Sequence, residues 1–234
     1  MDIKKAILAE FIGTFFIILL GCGSYTIASN FSNGIGILGI ALSFGLAIIA
    51  VSYALYKFSG ANFNPVATVG LWVSGKFSFL NMIEYVVAQT AGAIFAVTII
   101  YLIATGKQGF IIAENSLGVN GFADFSPAHY SLQAVFISEL VFSFLFSFIF
   151  ILANNLKNSQ YILPLVSGIT FTAIYLVSIP INNGAINPSK STAAAFLVGF
   201  QSIYQLWVFW VAPIMGALLG GLVSKFFTNN TSCE

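Results

Sequence analysis

Arginine is absent: all eight basic residues of the 234-residue chain are lysines. Charge of any sign is scarce, since Asp, Glu, Lys and Arg make up 6% of the residues, against about 25% in a typical soluble domain. A net charge of +1 leaves no basic patch for nucleic acid and no pull toward an acidic partner. Cysteine is nearly absent too. Cys22 and Cys233 lie in an apolar run and in the C-terminal tail, a placement that fits neither a disulfide framework nor a metal site. The one histidine, His129, sits in a polar loop with Asp124, and no hydroxyl or thiol has a base beside it in sequence. Enzyme chemistry therefore has no support, and no cofactor or metal is expected.

Long apolar runs take the place of charge. The chain is 59% hydrophobic, has a mean hydropathy of +0.97 and contains 25 phenylalanines. Six stretches are long enough to cross a bilayer as helices: Ala6–Ala28, Ile35–Tyr56, Ile83–Ala104, Leu132–Leu152, Tyr161–Ile179 and Tyr204–Phe227. A helix is the default because a spanning chain must satisfy its own backbone. Turn residues collect between them, in "NFSNGIG" (Asn30–Gly36), "ATGKQGF" (Ala104–Phe110) and "NNLKNSQ" (Asn154–Gln160). The "LLGCGS" box after a short basic start resembles a lipoprotein cleavage signal. The run continues past it and contains Glu10, so a span is expected rather than a leader.

Two further apolar stretches are too short to span. Each begins Asn-Pro, at Asn64-Pro65-Val66 and at Asn187-Pro188-Ser189. Asn is a favoured N-cap, and Pro suits the first helical turn, where its missing N–H costs nothing. Each reads as a half-helix that enters the membrane and stops midway.

The chain also repeats. "AEFIGTFFIIL" (Ala9–Leu19) is answered by "SELVFSFLFSF" (Ser138–Phe148), "GANFNPVATVG" (Gly60–Gly70) by "NGAINPSKSTA" (Asn183–Ala193), and "AQTAGA" (Ala88–Ala93) by "APIMGA" (Ala212–Ala217), at nearly constant spacing. We read one domain over residues 1–234, built from repeats at about 1–115 and 128–234. Three spans per half is an odd number, so the second half is inverted, and a site is expected at the midplane. With both termini cytoplasmic, Lys4, Lys5, Lys57, Lys76, Lys157 and Lys225 lie inside and Lys107 outside, as the positive-inside rule requires.

Two half-helix N-termini aimed at one point repel cations. Asn64 and Asn187 would each offer an amide donor to a passing oxygen. Glu10 and Glu139 read either as coupling carboxylates of a transporter or as acceptors for the backbone of the half-helix loops. Gly13, Gly92, Gly168, Gly216 and Gly220 read as close helix contacts.

The paired Asn-Pro motifs, a Glu in the first and fourth spans, and segments such as "SGANFNPVATVGLW" and "SIPINNGAINPSKSTA" resemble the aquaporin (major intrinsic protein) family over nearly the whole chain. The resemblance implies an all-α membrane fold of six spanning helices plus two re-entrant half-helices in an inverted repeat. It implies a passive water channel in a cell (inner) membrane, with other small neutral solutes such as glycerol or ammonia as the alternative. It also implies a homotetramer in the lipid bilayer, with one pore per subunit and no nucleic-acid partner. A secondary transporter or a non-conducting structural protein would be a different class of function.

The same resemblance places a filter at Phe44, Tyr175, Gly184 and Lys190, and loop-supporting roles at Glu10 and Glu139. Lys190 stands where the family nearly always has Arg, Tyr175 where water-selective members have His, and Val66 and Ser189 where Ala is usual. Ser191, where glycerol-conducting members carry Asp, implies the water branch. Lys keeps the charge but not the planar fork of Arg. A loosely held Lys190 is therefore expected. Tyr175, larger than His, acts to narrow the filter, Gly184 and a movable Lys190 act to open it, and the sequence leaves the resulting width open.

Overall fold

The computed structural model describes residues 2–28, 34–111 and 116–228. Most of the Asn30–Gly36 turn, the tail beyond Thr228 and Cys233 lie outside the described residues. Among the described residues there is no strand.

Six helices are long and apolar enough to span a membrane. They are α1 (Ile3–Thr26), α2 (Gly36–Ser59), α4 (Phe79–Ala104), α5 (Leu132–Asn154), α6 (Ser159–Asn182) and the stretch Phe200–Thr228, most of which is α9 (Val208–Thr228). Two short helices, α3 (Pro65–Val73) and α7 (Pro188–Val198), begin at the two Asn-Pro motifs. Their 9 and 11 residues together cover about 30 Å, the thickness of a hydrocarbon core. A six-residue helix, α8 (Phe200–Gln205), precedes α9 and shortens the last expected span at its start. Several helices outrun their apolar runs. Ser78 caps α4 at the Asn81 N–H, and Asp2 caps α1 at the Lys4 N–H, so polar residues carry these helices beyond the hydrocarbon.

The same packing occurs twice. α1 lies on α4 and α2, and α5 lies on α9 and α6. Each half-helix crosses to the other half, α3 to α9 and α7 to α4, while α2 and α6 meet across the join. Small residues set the close approaches. A Cβ on Gly92 would strike the Phe11 carbonyl, and one on Gly216 the Leu140 carbonyl, so α1–α4 and α5–α9 pack backbone to backbone. Gly13 differs from the expectation of a helix contact. The space beside it is filled by the ring of Phe63, in the loop before α3.

Candidate functional site

The two half-helices meet N-terminus to N-terminus, and their asparagines tie them together. Asn64 Oδ1 accepts from its own helix at the Val66 N–H (2.9 Å), and Nδ2 donates to the Ile186 carbonyl of the other loop (2.9 Å). Asn187 Oδ1 accepts from the Ser189 and Lys190 N–H groups (3.0 and 3.3 Å), and Nδ2 donates to the Phe63 carbonyl (3.4 Å). Each amide therefore spends one of its two hydrogens on the opposite loop. Pro65 and Pro188 occupy the first helical turns, as the motif requires.

The loops before the helices carry left-handed backbone at alternate residues. Ala61 and Phe63 lie at φ 57° and 49°, and Gly184 and Ile186 at 61° and 46°. Non-glycine residues persist there only when the surroundings hold them. Glu10 does so by accepting from the Asn62 and Phe63 N–H groups (3.0 and 2.7 Å) and from Gln89 Nε2 (2.7 Å). Glu139 accepts from the Ile186 N–H (2.9 Å) and Asn182 Nδ2 (2.7 Å). Both carboxylates face loops and have no exposed surface. That geometry is the loop-acceptor arrangement, one of the two readings left open for them.

Beyond the asparagines, four aromatic and basic side chains converge. The Phe44 and Tyr175 rings are 4.6 Å apart, and Phe171 lies 4.3 Å from Tyr175 and 5.9 Å from Phe44. Phe44, Tyr175 and Lys190 keep only 2%, 0% and 1% of their surface exposed, so a water-sized sphere does not reach between them. A Cβ on Gly184 would lie 2.9 Å from the Tyr175 ring. The space that a side chain at Gly184 would take is thus filled by Tyr175.

Lys190 is not loosely held. Its Nζ donates to the Gly118 carbonyl (2.7 Å), Asn120 Oδ1 (3.1 Å) and the Asn183 carbonyl (3.1 Å). Three acceptors use all three hydrogens of an ammonium. The Tyr175 hydroxyl donates to the Ala185 carbonyl (3.1 Å). Every donor hydrogen of these two side chains is therefore committed within the protein. Val66 and Ser189, the other departures, are fully buried, and the Ser189 hydroxyl pairs with Thr90 of α4 (3.0 Å).

A small cavity lies below the rings, with about 10 Å³ open to the centre of a water molecule. Asn62, Asn64, Asn187 and Ser167 give it polar groups, and Ile17, Ile48, Phe146, Phe150 and Phe171 give it an apolar wall. Sequence reasoning missed Gly118 and Asn120, which hold Lys190, and also Ser167 and Phe171. Position 167 carries a serine in an apolar face at helical spacing from Tyr175. That was the only available signal.

Residues 1–224 match the Major intrinsic protein family. The chain is 41% identical to an Aquaporin Z of Bradyrhizobium diazoefficiens over 229 residues, covering 97% of this chain and 95% of the relative. It is 42% identical to an Aquaporin Z of Rhodopseudomonas palustris over 219 residues, covering 93% and 91%. The fold matches the X-ray structure of the aquaglyceroporin from Plasmodium falciparum with a TM-score of 0.81, covering 99% of this chain and 98% of that one, at 22% identity. This is a family of channels, not enzymes. With the family match spanning both Asn-Pro motifs and all six long helices, the chain belongs to the major intrinsic protein family and is a multi-pass membrane protein.

Proposed function

We propose that the chain is a passive water channel, driven by osmotic gradients and closed to ions and protons. The observation that carries the reading is the pair of cross-tied asparagine amides, each with one hydrogen left, at the meeting of two helix N-termini beside a cavity of water size. A neutral oxygen accepts from both amides, whereas a cation meets two positive helix ends. The contact of Phe44 with Tyr175 leaves no water-wide gap in this structure, so conduction requires these side chains to part, and a solute as small as water needs the least movement. Phe44, Tyr175, Gly184 and Lys190 form the filter in this reading, and Glu10 and Glu139 brace the loops. The relatives named Aquaporin Z support the same solute. The domain is one unit over 1–234 with repeats at about 1–115 and 128–234. It sits as a homotetramer in the inner membrane with both termini cytoplasmic.

The test is osmotic shrinkage of liposomes carrying the purified protein, followed by light scattering against empty vesicles. Fast shrinkage with a low activation energy is expected, with slow uptake of glycerol, urea and ammonia. Shrinkage no faster than empty vesicles would remove water from the proposal. Fast uptake of one of the other solutes would then replace it.

A further inference from the structure

Hydroxyl groups in these helices ordinarily close on a carbonyl three or four residues back. Thr90 donates to Val86, Thr98 to Ile94 and Thr172 to Gly168 (2.8, 2.9 and 2.9 Å). Such bonds hide a hydroxyl from hydrocarbon. Ser167 is different. Its Oγ has no partner among the described residues, although the residue is only 4% exposed. An unpaired buried hydroxyl is costly, so its surroundings need an explanation. Ser143 and Ser178 are also unpaired but do not line the midplane cavity. The unpaired groups that do are Ser167 Oγ and Asn62 Oδ1, and of these two only Ser167 brings a hydroxyl, from α6.

Helical spacing completes the picture. Ser167, Phe171 and Tyr175 are four residues apart along α6 and share one face. Tyr175 packs in the ring cluster, Phe171 touches both that cluster and the cavity, and Ser167 lines the cavity beside Asn64 and Asn187. The half-helices bring donors from one side, and α6 brings a group that both donates and accepts from another.

We infer that Ser167 is a solute-contacting residue of the pore, a polar point supplied by α6 in a wall whose other polar side chains, Asn62, Asn64 and Asn187, come from the half-helix loops. It takes a small solute that carries both a hydrogen-bond acceptor and a donor. The two amides donate to the solute's oxygen, and Ser167 Oγ accepts the hydrogen that this orientation turns away from them. The inference rests on the water-channel reading and adds a residue to it.

The sign of one substitution separates this role from space filling. Ser167→Ala removes an oxygen and adds no bulk. A residue that merely fills the wall would give equal or faster flux. A contact residue gives slower flux, about fivefold for one net hydrogen bond, with a higher activation energy. Ser167→Cys in a Cys22→Ala, Cys233→Ala background supplies a second readout that does not depend on the first variant folding. Mercuric ion should block this variant and leave the thiol-free background unblocked. Water flux at the wild-type rate or faster in Ser167→Ala would overturn the inference, as would a Ser167→Cys channel insensitive to mercury. A wild-type protein that conducts no water would remove the channel reading itself, and the role of Ser167 with it. That failure is visible before any variant is measured.

Discussion

Tyr175 occupies the volume that a side chain at position 184 would need, and its hydroxyl is tied to the next residue's carbonyl. A smaller ring at this position would open the constriction from both sides. Tyr175→His is expected to raise osmotic water permeability severalfold in liposomes. An unchanged rate would place the limiting step elsewhere. Lys190 is the charge in the proposed filter. A unit charge about 4 Å from a passing cation is worth roughly 4 kcal/mol at an effective dielectric of about 20. Lys190→Met keeps the stem, removes that charge and takes a donor from the Gly118 and Asn183 carbonyls, while Asn120 Oδ1 keeps the Ser191 hydroxyl. Proton or sodium leak into dye-loaded vesicles should rise by about tenfold or more. A leak equal to wild type would show that the half-helix ends exclude cations alone. The sequence made Lys190 conspicuous but hid its fixation. Two of its three acceptors lie in a loop some 70 residues earlier, where "GVNG" carries only a turn signal. Ser167 and Phe171 were hidden for another reason. One serine and one of 25 phenylalanines in apolar helices look like packing until a cavity selects them.

At the scale of elements, the half-helices were legible because their starts are chemical. Asn caps and Pro at the first turn mark positions 64 and 187, and the helices begin there. Long helices were legible as spans, but their ends were not. Hydropathy follows the hydrocarbon, while the helix continues until its caps are met, as Ser78 shows for α4. For the two glutamates the sequence left two readings open, because an acid within a span needs donors that either a non-helical loop or a transport pathway could supply. Their observed partners are loop N–H groups and side-chain amides. Their replacement should be felt in stability. Glu10→Gln places an amide NH2 against donors at Asn62, Phe63 and Gln89, and at least one buried group loses its partner. A cost of about 1–3 kcal/mol is expected, read as a lower unfolding temperature in detergent. Glu139→Gln should behave alike, because it leaves Asn182 and Ile186 in the same position. Unfolding temperatures equal to wild type for both would show that the loops hold their left-handed backbone without the acids.

At the scale of the whole molecule, apolar side chains such as Leu46, Ile169 and Leu80 lie exposed on the outer faces of the helices. Lipid or neighbouring subunits cover such surface in a membrane protein. The proposed tetramer predicts a mass of four 25.1 kDa chains by light scattering after subtraction of detergent. A single-chain mass in mild detergent would contradict it. The repeat was legible because three landmarks recur in register. What it builds was less so, because each half-helix packs on the third long helix of the opposite half.

That exchange dictates an order of assembly on the ribosome. When residues 60–73 emerge, the carbonyl that Asn64 will meet and the helix α9 that α3 will lie on do not yet exist. Glu10 can already take the Asn62 and Phe63 N–H groups, but until synthesis passes residue 186 the Asn64 amide has no carbonyl to meet. A nascent chain stopped at about residue 115 should therefore leave residues 60–64 accessible to a water-borne thiol reagent through an introduced cysteine. The same cysteine in the finished chain should be protected. The first half of the gene, in effect, writes a lock whose key is translated a hundred residues later.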